Sequence, residues 1–405
     1  MASPSSTTTA EFIFKTKQKG LEDEANRRHP TLDGIVKQGG LAYKDEYDVL
    51  YGDGQGGGAV FATAQANVSP VKGEKFQMLP KTQYRIAQID NVSSELGKGD
   101  ENSYEELVVA EVRGTLNGLL NDAGMFLFRN GSGARGRIAT GGISGNVVTL
   151  DVAADARFFF IGMTVSAGVS TSSLRSGTTT VAAVDTDAGT VTLTSVAAIT
   201  ALAAADYLFR EGDTGNVCME GFESIIPLTA PVYLSDSFRG VDRGKYVTLL
   251  AGVRVAADGS LPEEMALRVA TKIHNNGGVS DEVVMDPITA LDVCNRGGAK
   301  IVYDTNKNDI MEFGFTGARL RSPAGVLKIV SDPDCPSNRL YVRKASSWRI
   351  QFAGPKFVHH TLNGVVSSKF WRDMESADRI EGRWRIIANL KCLSPRDNGV
   401  GEVAA

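Results

Sequence analysis

The sequence predicts an α+β protein organised on one long helix, with a small all-β domain inserted behind it. Three observations predict this. Residues Ser103 to Phe128 (SYEELVVAEVRGTLNGLLNDAGMFLF) repeat apolar side chains every three or four positions. Residues Gly131 to Arg210 contain no lysine and no proline and are dominated by Gly, Ala, Ser, Thr and Val. Trp384, Ile386, Ala388, Leu390 and Cys392 alternate with Arg383, Arg385, Ile387, Asn389 and Lys391, the pattern of a half-buried strand.

The whole-chain numbers set the frame. At 405 residues the chain is long enough for two or three domains and a large core. Its 42% hydrophobic and 22% charged residues are ordinary for a soluble protein. A formal net charge of −4 supplies no basic field for holding nucleic acid by its phosphates. Four scattered cysteines (Cys218, Cys294, Cys335, Cys392) form no CxxC pair and suggest neither zinc nor a disulfide framework. No apolar run has the length of a membrane span, and the N-terminus lacks the pattern of a secretory signal.

From the N-terminus, residues 1–58 read as loosely structured. Leu21 to Arg28 is a candidate short helix stopped by Pro30, and Gly52 to Gly58 (GDGQGGG) is a flexible join. Ala59 to Val68 and Phe76 to Val92 read as two extended arms, joined by a turn at Ser69 to Lys75 (SPVKGEK). In the second arm Thr82, Tyr84 and Ile86 alternate with Gln83, Arg85 and Ala87. A two-stranded ribbon is marginal alone in water, so this one is expected to rest on its own subunit or a neighbour. The charges at its expected tip, Lys72, Glu74 and Lys75, are the candidate intersubunit contacts.

In the long helix, Tyr104, Val108, Val112, Leu116, Leu119, Ala123 and Phe126 fall on one face, with Arg113, Asn117 and Asn121 opposite. Ser103 and Glu106 form a capping box. The stretch alone fits an ordinary core helix as well as a spine carrying extended segments. In the insert, Ile138 to Leu150 (IATGGISGNVVTL) resembles Val181 to Leu193 (VAAVDTDAGTVTL), each a strand, a Gly-containing turn and a VTL strand. Two chance hairpins would look similar; the composition favours a compact inserted β domain.

Beyond the insert, Val217 to Ile226 is an expected strand and Tyr233 to Lys245 a polar loop. Ser260 and Glu263 form a second capping box before a helix whose buried stripe is Met265, Val269 and Ile273, ended by Gly277. Asp286 caps the next helix, with Pro287 in its first position and Gly297 past its end. Val283 to Met285, Gly325 to Val330, Arg339 to Arg343 and Trp348 to Phe352 are expected strands.

No chemistry emerges from the motifs. Gly52, Gly54 and Gly57 fit G-x-G-x-x-G, but Ala59 to Val68 shows no helical period, so no helix N-terminus is there for a pyrophosphate. Asp304, Asn306 and Asn308 open like an EF-hand loop, yet Asp309 and Phe315 stand where glycine and glutamate are required. Of the four histidines, His359 and His360 are adjacent and would point to opposite faces of a strand, and His29 and His274 lie beside expected helix ends. The carboxylate pairs Glu263/Glu264 and Asp332/Asp334 read as a helix start and a Pro-flanked turn. No catalytic, cofactor-binding or metal-binding residue is assigned.

The order of parts is more specific than any motif. An extended arm, a long ribbon, a spine helix, a β/α block and a return to long strands resemble the major capsid proteins of tailed bacteriophages, with the HK97-like fold. The stretches that carry the resemblance are Asn216 to Pro227 (NVCMEGFESIIP), Gly325 to Phe352 (GVLKIVSDPDCPSNRLYVRKASSWRIQF) and Arg383 to Arg396 (RWRIIANLKCLSPR). The resemblance implies an N-terminal arm over 1–58, an extended β-ribbon (the E-loop) over 59–99 and the spine helix over 100–130. It implies the insert over 131–212, a peripheral domain over 213–250 and 354–405, and an axial domain over 251–353. The implied function is mechanical: hexamers and pentamers closing into an icosahedral shell around double-stranded DNA, which is enclosed without sequence-specific binding. The implied location is the virion, assembled in the host cytoplasm. Implied partners are further copies of the chain, a separate scaffolding protein, a portal and a decoration protein, with no cofactor and no membrane. The insert departs from the minimal fold, and no residues for an isopeptide cross-link are identifiable. Two other classes remain: a phage structural or adhesive protein whose insert binds carbohydrate, and an enzyme whose site a single sequence hides.

Overall fold

The computed structural model describes residues 29–90, 101–297, 319–354, 358–359, 372–373 and 378–403, with side chains in the long helix from residue 111 onward. The expected helix at Leu21 to Arg28 and the EF-hand-like loop at Asp304 lie outside the described residues. Pro30 opens a helix, Pro30–Gly34; its fixed φ and missing N–H suit a first turn.

The long helix runs Glu101–Phe128. Val112, Leu116, Leu119 and Phe126 are buried while Arg113 and Asn121 are exposed, the faces that the spacing predicts. The helix begins before Ser103, so Ser103 lies inside its first turn and the expected capping box is not at its start.

The helix lies on a six-stranded sheet built around one long closing strand, Arg379–Cys392. Trp384, Ile386, Ala388, Leu390 and Cys392 are all buried, but the strand is not half-buried: on its other face Arg383, Arg385 and Ile387 are partly covered and Asn389 and Lys391 are buried. Lys81–Asp90 pairs along it from Ala388 to Arg379, and Trp348–Phe352 pairs with its end. Val36–Gly39 extends the sheet in parallel beside Trp348–Phe352. In Lys81–Asp90 the period of two holds, but Tyr84 and Ile86 are each 52% exposed, while Ala87 and Ile89 face the core.

Phe128, Phe222, Tyr341 and Trp348 fill the core below the helix end, with Phe222 and Trp348 edge to face at 4.5 Å. The expected strand Val217 to Ile226 does not form; a short helix, Phe222–Ile225, takes its place. Its backbone serves the spine helix instead. Gly221 N–H donates to Arg129 O at 2.9 Å, and a Cβ at Gly221 would collide with the carbonyl oxygens of Phe126 and Leu127.

A second six-stranded sheet has the order Val253–Val255, Gly399–Glu402, Arg339–Arg343, Glu282–Met285, Gly325–Ser331, Arg319–Ser322. The helix Pro262–Asn275 buries Met265, Val269 and Ile273 against it. Ser260 does not cap that helix: it bonds Asp258, and Leu261 occupies the cap position. Asp286 does cap its helix, accepting from Ile288 N–H at 3.0 Å. Two strands cross the expected division of the chain. Trp348–Phe352 belongs to the first sheet, and Gly399–Glu402 to the second, where Gly399 and Gly401 leave room for Val269 and Met265.

The ribbon differs most from expectation. Its strands are Asp45–Gly52 and Lys72–Met78, paired from Asp45↔Met78 to Gly52↔Lys72. Asp45–Gly52 lies in the stretch that reads as loose, and the reversal spans residues 53–71 rather than Ser69 to Lys75. Tyr47, Val49, Phe76 and Met78 are buried with Val241 and Leu250, which is why these strands pair there. Ala59 to Val68 is not an extended arm: Phe61–Ala66 is helical, in keeping with its three alanines. A helix therefore does follow the Gly52–Gly58 run, contrary to the ground on which a phosphate loop was excluded. It is six residues long and has no buried residue. Pro80, without an N–H, separates Lys72–Met78 from Lys81–Asp90, so Phe76 to Val92 is not one arm.

The insert is an antiparallel barrel closed by six strands, Ala134–Ser144, Val147–Leu150, Thr164–Ser170, Thr179–Asp185, Thr190–Leu193 and Tyr207–Arg210, with a seventh, Ser173–Leu174, paired to Thr164–Ser170 outside the ring. Closure comes from Tyr207–Arg210, which pairs with both Ala134–Ser144 and Thr164–Ser170. Val148, Val165, Ala167, Val191 and Leu208 fill its interior. The two similar stretches are halves of a structural repeat. Ile138 N–H donates to Asp206 O and Val181 N–H to Met163 O, both at 2.9 Å. Asp151 N–H donates to Arg137 O and Thr194 N–H to Thr180 O, both at 2.8 Å. One constant sequence separation relates the members of each pair, so the halves exchange about a pseudo-two-fold axis. Gly162 and Ala205, equivalent in the repeat, both have positive φ (84° and 67°).

Candidate functional site

The barrel joins the body through a buried charge cluster. Asp122, 2% exposed, projects from the spine helix. Arg135 from the barrel's first strand reaches its Oδ1 at 2.7 Å. Arg210 from the last strand and Arg85 from Lys81–Asp90 reach its Oδ2 at 2.7 and 2.8 Å. Asp213 completes the cluster, 3.2 Å from Arg135 and 2.9 Å from Arg210. Burial alone raises the Asp122 carboxyl, but Arg135, Arg210 and Arg85 outweigh it and hold it at about 2. The inward face of Lys81–Asp90 follows from this: Arg85 points in because its partner is there. Phe158 adds an apolar key by packing in the main core rather than in the barrel.

A second cluster fixes the root of the ribbon. Arg239 has a left-handed backbone, φ 52°. Its guanidinium donates to Glu220 Oε2 at 2.7 Å, Tyr47 Oη at 3.0 Å and Leu390 O at 2.8 Å, and its own carbonyl accepts from Gln77 N–H at 3.0 Å. Both ribbon strands, the closing strand and the segment after the insert thus meet at one strained residue.

The expected contact residues lie on the ribbon strand rather than at its tip. Lys72 and Lys75 are exposed, with Lys75 Nζ 4.0 Å from Glu46. Glu74 is engaged in its own chain by Lys245 Nζ at 2.6 Å. The tip beyond them exposes apolar side chains: Val60, Phe61, Val68 and Val71 are 61%, 80%, 71% and 56% exposed.

Among the described residues no group of His, Cys, Asp and Glu is placed to hold a metal ion. All four cysteines are buried, and burial pushes the Cys218 and Cys392 thiols up to about 12, away from thiolate chemistry. A cleft of about 440 Å³ opens beside the end of the spine helix. Its charges are paired: Glu223 with Arg339 inside it, and Glu220 with Arg239 and Arg243 with Asp236 across its edge. No helix of the described residues is long and apolar enough to cross a membrane.

Sequence reading missed Asp122 and Arg239 as organising residues. Each has partners far apart in the chain, and the only local signal is the placement of Arg135 and Arg210 at the two ends of the insert.

No protein-family model matches the chain, and no curated protein matches it in sequence. Solved structures do. A chain in the capsid asymmetric unit of cyanophage A-1(L) superposes with a TM-score of 0.56 at 10% identity, over 93% of this chain and 92% of that one. A capsid chain of a native GTA particle gives 0.46 at 9% identity, over 93% and 90%. An encapsulin complex from Synechococcus elongatus PCC 7942 gives 0.43 at 7% identity, over 93% and 88%. The first of these carries the statement of fold: the chain has the HK97-like α+β capsid fold, with a β-barrel insert.

Proposed function

We propose that this chain is a phage major capsid protein, whose copies form hexamers and pentamers and close into an icosahedral shell around double-stranded DNA. The observation that carries this reading is the end-to-end likeness to a capsid chain, over 93% of this chain and 92% of that one. In this reading the protein resides in the virion and has no enzymatic role. The first sheet, the spine helix and the closing strand form the peripheral domain, and the second sheet with its two helices forms the axial domain.

The ribbon is the intersubunit clasp. Its tip, residues 53–71, exposes Phe61 and buries no residue of the helix Phe61–Ala66, so the single chain draws no stability from it. Laid over an adjoining copy, the tip would bury that apolar surface at about 25 cal/mol for each Å² removed from water. Lys72 and Lys75 flank the clasp and meet the neighbour's charges, whereas Glu74 braces the ribbon against Lys245 of its own chain. A separate scaffolding protein, a portal and a decoration protein complete the assembly, and the DNA is held by enclosure.

Negative-stain microscopy of the purified chain, with sedimentation velocity on the same sample, tests the reading. Closed shells or pentameric and hexameric capsomers are expected. A chain that stays monomeric at every concentration and binds oligosaccharide through the barrel would replace this reading with that of an adhesive protein.

A further inference from the structure

His29 is 4% exposed, although its ring can carry a charge. Both ring nitrogens are engaged by residues remote in sequence. Nδ1 contacts Asp334 Oδ2, and Nε2 lies 3.1 Å from Asn121 Oδ1 on the spine helix. The following turn is tied to the same loop: Thr31 N–H donates to Asp332 Oδ2 at 2.9 Å, and Asp332 Oδ1 accepts from Asp334 N–H at 2.9 Å. Gly124 makes room for the contact, since a Cβ there would collide with Asp334 Oδ2 and the His29 ring. One imidazole and two buried carboxylates therefore close the seam between the N-terminal segment, the spine helix and the loop after Gly325–Ser331.

We propose that His29 is a pH-gated latch: when protonated it fastens the segment His29 to Gly39 onto the spine helix and the Asp332–Asp334 loop, and loss of its proton releases that segment.

The surrounding groups leave His29 as the switch. Asp334 and Asp332 face it from the loop, and Asn121, facing it from the spine helix, is neutral. The nearby cations are committed elsewhere: Arg343 to Glu282 at 2.8 Å, and Arg157 to Asp286 at 3.9 Å and to Cys335 O at 3.4 Å. On the segment itself Asp33 pairs with Lys37 at 3.2 Å. A neutral ring thus leaves two carboxylates buried side by side without their nearest counter-charge. Burial opposes the charge on His29, but Asp334, Asn121 and Asp332 outweigh it and raise its pKa above the ordinary imidazole value. A proton held more tightly when the segment is docked stabilises docking fully below the ordinary pKa. That stabilisation is lost as the pH rises through the raised one. The latch rests on contacts within one chain, so its failure would leave the shell reading untouched.

Hydrogen–deuterium exchange on the unassembled full chain from pH 6 to pH 9, corrected for the intrinsic pH dependence of exchange, tests it. In the wild type, corrected protection over residues 31–39 should fall as the pH rises from the ordinary imidazole value through the raised His29 pKa, by up to roughly tenfold per pH unit, and level off above it. In H29Q it should already be low at pH 6 and then independent of pH. A flat profile in the wild type, or the same slope in H29Q, overturns the proposal. If H29Q does not fold, the histidine ring C–H resonances of the wild-type chain decide. A ring whose titration tracks the loss of protection supports the latch, and protection lost without any titrating ring overturns it.

Discussion

Asp122 is a buried carboxylate that stays ionised because three guanidiniums surround it. Removing one member of such a cluster leaves buried charge unpaired, which costs more than the cluster itself contributes. Asp122→Asn preserves the shape and deletes the charge, and should destabilise the chain by about 3–5 kcal/mol in denaturant melts. The pH dependence has a definite sign. The Asp122 carboxyl is held at about 2, so its contribution is fully present above the ordinary aspartate pKa and is lost as the pH falls through about 2. Thermal melts between pH 5 and pH 2 should therefore be less steeply pH-dependent in D122N than in wild type. The apolar face of the same helix gives a sharper contrast. Leu116 is 3% exposed, and Leu116→Ala should cost about 2–5 kcal/mol. Asn117 is only half-buried, and Asn117→Ala should cost less than about 1 kcal/mol. Equal effects would mean the helical phase is wrong. Leu116 was legible because its partners recur every three or four residues. Asp122 was not, because a helical aspartate reads as a surface residue until Arg85, Arg135 and Arg210 are brought to it.

Among the elements, those whose patterning is local match expectation. The apolar face of Arg379–Cys392 and the stripe Met265, Val269 and Ile273 follow directly from periodicity, whereas the burial of Asn389 and Lys391 on the strand's other face does not. The ribbon was misplaced because partner choice is not local. Asp45–Gly52 carries charges at three of its eight positions, and only the cluster of Tyr47, Val49, Phe76 and Met78 with Val241 reveals it as a strand. The barrel was half legible: its composition and repeated hairpins were visible, but closure through Tyr207–Arg210 depends on a strand of four residues. Its root also reaches further into the body than a detachable insert would. Replacing residues 133–209 with a Gly/Ser linker removes Arg135, Phe158 and Asp155 from the body, so the shortened chain should fold but melt below wild type. Asp122→Asn should cost at least about 1 kcal/mol less in that background, because one of its three cations is gone. An unchanged cost would show that the barrel and the spine helix are not coupled through Asp122.

For the whole molecule, the HK97-like architecture was legible from the order of parts, since each part imposes its own pattern on the chain. How copies meet was not, because a contact satisfied by a neighbour looks like unused surface in one chain. In the proposed shell, the tip at residues 53–71 is such a surface. Replacing 55–68 with a short Gly/Ser turn should leave a cooperatively melting protein, because the helix Phe61–Ala66 buries nothing in its own chain. In sedimentation velocity that protein should stop at monomers or isolated capsomers under conditions where wild type closes. In the proposed shell the copies close on one another through this ribbon. Cryo-electron microscopy of the assembled wild-type protein tests it most directly. Closed icosahedral particles are expected, in which the helix Phe61–Ala66 lies against the adjoining copy, with Phe61 covered. Particles whose tip stands free in solvent, or a chain that forms no closed particle, would contradict it.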